Sequence, residues 1–153
     1  MASFRQQALI DAPIGDVWTL VSDPVKGPQW SEDVIAVTGA PTTIEKGSTF
    51  RMTARGPMGV KGTTKFKVEE LEDLHEIKMT CQASGYYSRW TLTEAQGGTF
   101  TELELGFEKL DHRRTLAATA MTALHTQSYL RRTVEKLLDA LEQAAARERV
   151  GAS

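Results

Sequence analysis

The spacing of apolar residues predicts a strand and two short helices at the start of the chain. Residues 4–10 alternate between apolar and polar and predict a strand, and apolar residues at helical spacing over 14–21 predict a helix. Proline disfavours helical geometry in the preceding residue, so Asp23-Pro24 ends this helix. Only a second, short helical segment then fits before Trp30.

The rest of the chain changes from strand to helix periodicity. Residues 33–110 alternate with a period of two and predict about six strands, and their short links favour an antiparallel meander. Residues 114–149 contain no glycine or proline and predict one helix, about 45 Å long for thirty residues at ~1.5 Å each. We therefore expect an α+β fold with one domain at 1–148 and a short flexible tail at 149–153.

Strand alternation sorts the side chains into two faces of the sheet. The charged residues share a face that we expect to be solvated. The other, inner face is mainly large and apolar: Phe50, Met52, Val60, Thr64, Phe66, His75, Met79, Cys81, Tyr86, Ser88, Trp90, Leu103 and Leu105. An unpartnered polar group in a dry core costs ~1–3 kcal/mol, so the inward Thr64 and Ser88 predict a cavity that holds water or a ligand.

The long helix carries an apolar stripe that must be buried. Its members are Leu116, Ala120, Ala123, Leu130, Val134, Leu137, Leu138 and Leu141. Gln127 lies near the middle of the stripe and Arg131 about 60° from its centre, so we expect both to face the sheet. Two interpretations stay open. The pair orients a ligand, or the glutamine bonds a strand carbonyl while the arginine extends to the edge.

Composition excludes several kinds of site. The formal net charge of -2 gives no overall preference for nucleic acid or an anionic membrane surface. The single cysteine, Cys81, cannot form an internal disulfide, and His75, His112 and His125 are not paired at metal-ligand spacing, so we expect no metal. The chain shows no signal-peptide hydrophobic region and no run of ~18 apolar residues, which favours a reducing cytoplasm.

Two of these side chains are further constrained by position. His75 and Cys81 lie about 20 Å apart on an extended strand, too far for a nucleophile and its base. We interpret Cys81 as a small buried hydrophobe and expect His125 to face solvent.

Several short segments resemble a known family. They are Ala12-Pro13-Ile14-Gly15-Asp16-Val17-Trp18, Ser22-Asp23-Pro24, Pro28-Gln29-Trp30 and Tyr129-Leu130-Arg131-Arg132. In these segments the chain resembles the START-like (SRPBCC) helix-grip superfamily of Bet v 1-like fold, which includes polyketide cyclase/dehydrase proteins. The resemblance implies a curved seven-stranded antiparallel sheet wrapped around a long C-terminal helix, with two short helices after strand 1. It also implies an elongated cavity for lipids, quinones or polyketides, with Trp30 near its mouth.

The first functional hypothesis is a module that binds a small hydrophobic molecule without a cofactor, acting as a monomer or weak homodimer. The predicted ligand-binding residues are Trp30, Phe50, Met52, Thr64, Phe66, Met79, Tyr86, Ser88, Trp90, Leu103, Leu105, Gln127 and Arg131. The inner side chains offer mainly apolar surface against which a ligand is buried, and their few polar groups orient one end of the ligand. No nucleic acid is expected as a partner.

Two alternatives remain. The first is a polyketide cyclase, aromatase or dehydratase, for which His75 and Arg131 are the candidate catalytic groups, although residues 60–68 lack the inward arginine common in such cyclases. The second is a protein-interaction module similar to ribosome-associated or toxin-antitoxin proteins. For that role the outward residues Lys61, Lys65, Lys67, Lys78 and Arg89 form a basic strip, unless they are simply a solvated surface.

Overall fold

The computed structural model describes residues 3–55, 59–108 and 116–151, with side chains omitted for 116–126 and 148–151. The elements in chain order are β1 (Ser3–Ile10), α1 (Ile14–Ser22), α2 (Gly27–Trp30), β2 (Val34–Thr38), β3 (Thr49–Arg55), β4 (Lys61–Glu72), β5 (Glu76–Cys81), β6 (Tyr86–Ala95), β7 (Gly98–Phe107) and α3 (Leu116–Gly151). The predictions for the side chains of Leu116, Ala120, Ala123, His112 and His125 lie outside the described residues.

The seven strands form a single antiparallel sheet in the order β1-β7-β6-β5-β4-β3-β2. Strands β2 to β7 follow one another as a meander, which confirms the antiparallel prediction. β1 pairs with β7 from Ser3 opposite Gly106 to Ile10 opposite Thr99, and so lies at the edge furthest from β2. The first strand and the last strand of the chain therefore lie side by side.

The two predicted short helices are present between β1 and β2. α1 ends where expected, because Asp23 takes an extended conformation and its side chain accepts a hydrogen bond from the Val25 backbone N–H at 3.1 Å. A single 3₁₀ turn over Pro24–Lys26 then leads into α2. The buried residues of α1 are Val17, Trp18, Leu20 and Val21.

The long helix is also confirmed. In its described part the buried leucines and valine fall on the predicted stripe: Leu130, Val134, Leu138 and Leu141. The stripe continues with the buried Ala144 and Ala145, and the helical backbone runs on to Gly151, past the predicted domain end at residue 148. α3 packs against β1, β7 and α1.

The β6–β7 turn approaches the end of β1 so closely that only glycine fits. Gly98 has φ +152°, and a Cβ built there would lie 2.2 Å from the Ile10 carbonyl oxygen. The next residue, the fully buried Thr99, donates its hydroxyl hydrogen to the Ala12 carbonyl oxygen at 2.9 Å. These contacts fix the β1–α1 turn against the β6–β7 turn and close this end of the sheet.

We expect Gly98→Ala to destabilise the protein by at least ~2 kcal/mol, because the methyl group adds a backbone clash to an unfavourable φ. Gly15→Ala is the matched control. Gly15 lies in α1 with open space around its Cβ position, so alanine should be neutral or stabilising there. Urea unfolding of both variants measures the difference, and equal stabilities would contradict the proposed close approach.

Candidate functional site

The inner face of the sheet is closed at one end and half-open at the other. At the closed end, Ile10, Leu92, Thr99 and Thr101 are buried beneath α1 and the C-terminal half of α3. Burial decreases toward the β5–β6 turn along β3, β4, β6 and β7, although Met79 and Cys81 of β5 stay buried. The half-buried inner side chains at that end are Met52, Ala54, Thr64, Tyr86, Ser88 and Phe107.

The strand register places these half-buried residues next to one another. Met52 pairs with Thr64, and Tyr86 pairs with Phe107, with ring centroids 5.4 Å apart. Gln127 of α3 reaches the start of β1, where its side-chain amide donates to the Ser3 carbonyl oxygen at 3.0 Å. The candidate site is the space over this half-open end of the inner face.

Trp30 links the short helix α2 to the middle of the inner face. Its indole ring contacts that of Trp90 edge to face, with centroids 5.9 Å apart and planes at 70°. Trp90 is buried, whereas Trp30 is half-buried and lines an outer cleft of about 320 Å³ between α2 and α3. The Trp30 Nε1 atom is buried without a hydrogen-bond partner. Since an indole N–H only donates, this position can serve an acceptor atom.

Two phenols, those of Tyr86 and Tyr129, interact with Asp33, and both have raised pKa values. Burial raises the pKa of Tyr86 far above its usual value, and the nearby Tyr129 and Asp33 raise it further. Burial and Asp33 likewise raise the pKa of Tyr129, although a Thr133 hydrogen bond and Lys136 oppose the shift. Both hydroxyls are therefore available as neutral hydrogen-bond donors or acceptors.

An ion pair fastens α3 beside this cluster. The Lys136 ammonium donates to both carboxylate oxygens of Asp33, at 3.2 and 3.3 Å, and lies 3.5 Å from Glu32. The Asp33 hydrogen bond and charge raise the pKa of Lys136. The pair is exposed to solvent and lies across the 320 Å³ cleft, so it holds the helix over Trp30.

A wider groove, of about 620 Å³, lies at the opposite end of the molecule. Residues 11–14 and 94–98, from the β1–α1 and β6–β7 turns, line it. It is an open surface depression away from the half-open inner face. We therefore do not assign the ligand to it.

The predicted wall residues occupy two environments. Six of them are buried: Phe50, Phe66, Met79, Trp90, Leu103 and Leu105. Met52, Thr64, Tyr86, Ser88 and Trp30 are half-buried. Of the half-buried group, Met52, Thr64, Tyr86 and Ser88 are at the half-open end of the inner face, whereas Trp30 lines the cleft between α2 and α3.

Three side chains that we expected to face the interior are exposed to solvent. His75 is exposed in the turn before β5, where its Nδ1 lies 2.9 Å from the Leu92 carbonyl oxygen, so strand alternation does not apply to it. Arg131 is exposed, because it lies off the buried stripe of α3. Val60 precedes β4 and is 68% exposed.

Gln127 is also exposed, contrary to its expected orientation toward the interior. It lies level with the edge strand β1, so its amide bonds the Ser3 carbonyl at the rim of the sheet. Of the two interpretations for Gln127, the bond to a strand carbonyl is therefore the one observed.

Cys81 is buried, as predicted, at 4% exposure. Burial raises the pKa of its thiol, but hydrogen bonds with Ser84 and Thr64 oppose this effect and leave the pKa below its usual value. The thiol therefore lies next to Thr64 on the inner face of the sheet.

The outer face of β5 and β6 is not the solvated surface that alternation predicts. Lys78 is only 7% exposed; its ammonium bonds Glu108, lies 3.5 Å from Glu69 and sits over the Tyr87 ring, 4.8 Å from the centroid. Arg89 pairs with Glu76 at 3.5 Å. Lys78 and Arg89 are therefore neutralised and do not belong to an open basic strip.

Within the part of the chain that the structure describes, no His, Cys, Asp and Glu side chains converge as a metal site. No helix described there is long and apolar enough to span a bilayer.

Sequence periodicity missed Tyr129, Asp33 and Lys136. Tyr129 borders the apolar stripe next to Leu130, which is a weak signal of partial burial. The approach of Asp33 to Lys136 joins residues 103 positions apart, and no local pattern encodes it.

We expect the three tyrosines of the folded protein to titrate well above pH ~10, the usual phenol pKa. Burial and the hydrogen bond to Glu104 raise the pKa of Tyr87 to about 12, and Tyr86 and Tyr129 are also raised. Because the folded state holds these protons more tightly, the free energy of unfolding should fall as pH rises from about 10 toward 12. Tyrosinate absorbance measures the titration, with protein in concentrated urea as the control. Folded-state titration near pH ~10 would contradict the described burial.

The fold has many solved counterparts. A START superfamily protein from Mycobacterium smegmatis superposes with a TM-score of 0.75 at 16% identity, covering 96% of this chain and 99% of that one. The Zhui aromatase/cyclase from Streptomyces sp. R1128 gives 0.73 at 15% identity, with 95% and 93% covered. A Polyketide_cyc-like protein from Corynebacterium glutamicum gives 0.66 at 16% identity, with 91% and 88% covered.

These structures confirm the predicted helix-grip fold. No curated protein matches the sequence significantly. The family model described as "Polyketide cyclase / dehydrase and lipid transport" matches residues 1–146, and the chain therefore belongs to this family.

Proposed function

We propose that the protein binds a small apolar ligand in the half-open space between the inner face of the sheet and α3. The observation that carries the proposal is the decrease in burial along β3, β4, β6 and β7 of the inner face. Trp90 and Leu105 are buried, while Met52, Tyr86 and Phe107 on the same face are only half-buried. Filling such a space with an apolar molecule stabilises the complex by ~25 cal/mol per Å² of buried apolar area.

The polar groups at this space favour a ligand that carries a hydrogen-bond acceptor. The Trp30 N–H is buried without a partner, and the Tyr86 phenol stays protonated. A carbonyl or phenolic oxygen would accept from such donors, whereas a purely hydrocarbon ligand would leave the Trp30 N–H unsatisfied. Quinones and polyketide-like molecules have this chemistry, and a cytoplasmic location would suit both.

An enzymatic role is supported less well by the geometry. The Zhui protein is an aromatase/cyclase by name, and this chain shares its fold at 15% identity. However, both proposed catalytic groups, His75 and Arg131, are exposed and so cannot act on a ligand held inside. Binding is therefore the function we favour.

Thr64→Trp should weaken binding of N-phenyl-1-naphthylamine, a neutral fluorescent apolar probe, by at least ~10-fold, because the indole would occupy the proposed space. Thr63→Trp is the matched control: the same substitution one residue away, where the side chain is exposed on the outer face. Fluorescence titration of both variants gives the two dissociation constants.

A second variant distinguishes loss of binding because the ligand space is filled from loss of binding because the protein is misfolded. Thr64→Ser keeps the hydroxyl and leaves the space open, so it should fold and bind the neutral probe within about threefold of the unmodified protein. Equal affinities for Thr64→Trp and Thr63→Trp, or no saturable probe binding by the unmodified protein, would refute the proposed site.

A further inference from the structure

The outer face of the β3–β4 hairpin concentrates positive charge. Five cations point outward from these two paired strands, and all five are exposed: Arg51, Arg55, Lys61, Lys65 and Lys67. Arg51 is directly opposite Lys65, and Arg55 is directly opposite Lys61. We call these five residues the basic hairpin face.

No carboxylate neutralises the basic hairpin face among the described residues. The ion pairs of the described residues involve Lys78, Arg89 and Lys136, none of which belongs to the basic hairpin face. The other outward residues of β3 and β4 within the hairpin are uncharged threonines: Thr49, Thr53 and Thr63. Like charges directly opposite one another destabilise a sheet, so fold stability does not explain the arrangement.

The overall net charge of the protein does not reveal this positively charged face. The formal net charge is -2, and acidic residues occupy other outer positions of the sheet, namely Glu70 and Glu72 later in β4 and Glu76, Glu102 and Glu104 on β5 to β7. The cations among them, Lys78 and Arg89, are ion-paired. The basic hairpin face is therefore a local concentration of positive charge, which would attract a polyanionic surface within a Debye length of ~8–10 Å.

An apolar side chain adjoins the basic hairpin face. Val60 comes directly before Lys61 at the start of β4 and is 68% exposed. The inner sides of the same two strands carry Met52 and Thr64, which border the half-open ligand space. One hairpin thus presents cations outward, an apolar residue at its end, and the opening of the site on its other side.

We propose that the basic hairpin face docks the protein onto an anionic lipid membrane, with Val60 entering the interface. Clustered Lys and Arg attract anionic headgroups, and an adjacent apolar side chain adds burial at the acyl boundary. Single-stranded nucleic acid fits less well, because the outward residues of β3 and β4 that the structure describes include no aromatic side chain on which bases could stack. Docking here uses the outer side of the hairpin, and it does not depend on any ligand being bound on the inner side.

The test is co-sedimentation of the full chain with lipid vesicles containing about 30% phosphatidylserine, compared with phosphatidylcholine alone. We expect binding to the anionic vesicles only, and weaker binding at about 0.5 M salt. Arg51→Gln/Lys65→Gln should reduce affinity about 25-fold, at roughly fivefold per cation. Val60→Ser should weaken vesicle binding further.

Arg132→Gln/Arg147→Gln is the matched control, because it makes the same charge change at two exposed arginines of α3. It should retain affinity within about threefold. The hairpin variant loses a like-charge pair and should melt at the same or a higher temperature, so any lost binding is not unfolding.

Four outcomes would overturn the proposal. They are equal losses in the two double variants, absence of vesicle binding, binding to a mixed-sequence RNA oligonucleotide but not to vesicles, and a salt-sensitive dimer that uses this face without binding lipid. Apolar-probe binding by the hairpin variant is measured in parallel, so failure of membrane docking can be told apart from failure of the ligand site.

Discussion

The width of the sheet relative to the helix that covers it determines most of this structure. Seven strands at ~4.8 Å spacing span about 29 Å, whereas a helix with its side chains is only ~10–12 Å across. Even when the sheet curves, one helix cannot bury its whole inner face. At the closed end α1 supplies the missing cover, through Val17, Trp18, Leu20 and Val21. Toward the β5–β6 turn several inner side chains, including Met52, Tyr86 and Phe107, are left half-buried.

That incomplete cover explains the chemistry of the candidate site. A fully packed core would leave an unpartnered indole N–H with no compensation, at a cost of ~1–3 kcal/mol. Here the Trp30 N–H is buried without a partner on a residue that lines the cleft between α2 and α3. The aromatic contact with Trp90 holds Trp30 in place, and the Lys136–Asp33 ion pair secures the helix beside it. The arrangement combines apolar area with a few donors, as small-molecule sites do.

Two parts of the outer face of the sheet carry their positive charges differently. On β5 and β6 the cations are neutralised, most completely at Lys78, which is covered by Glu108, Glu69 and Tyr87. Among the described residues no ion pair involves the cations of β3 and β4, where Arg51 is directly opposite Lys65. The same pair of strands carries the proposed docking surface on its outer side and residues of the proposed ligand site on its inner side.

The sequence by itself determined the elements, their antiparallel order and the buried stripe of α3, because periodicity, proline breaks and glycine turns act over a few residues. It also placed Trp90 and Tyr86 on the inner face. Only the tertiary structure decided which inner residues are half-buried, since this depends on where α1 stops covering the sheet. In the structure His75 lies in a turn and Gln127 at the rim of the sheet, contrary to the sequence prediction. Asp33 is paired with Lys136, although the two residues are 103 positions apart. The tertiary structure also decided which cations form ion pairs and which do not, because the strand register, rather than composition, determines which charged residues lie next to each other.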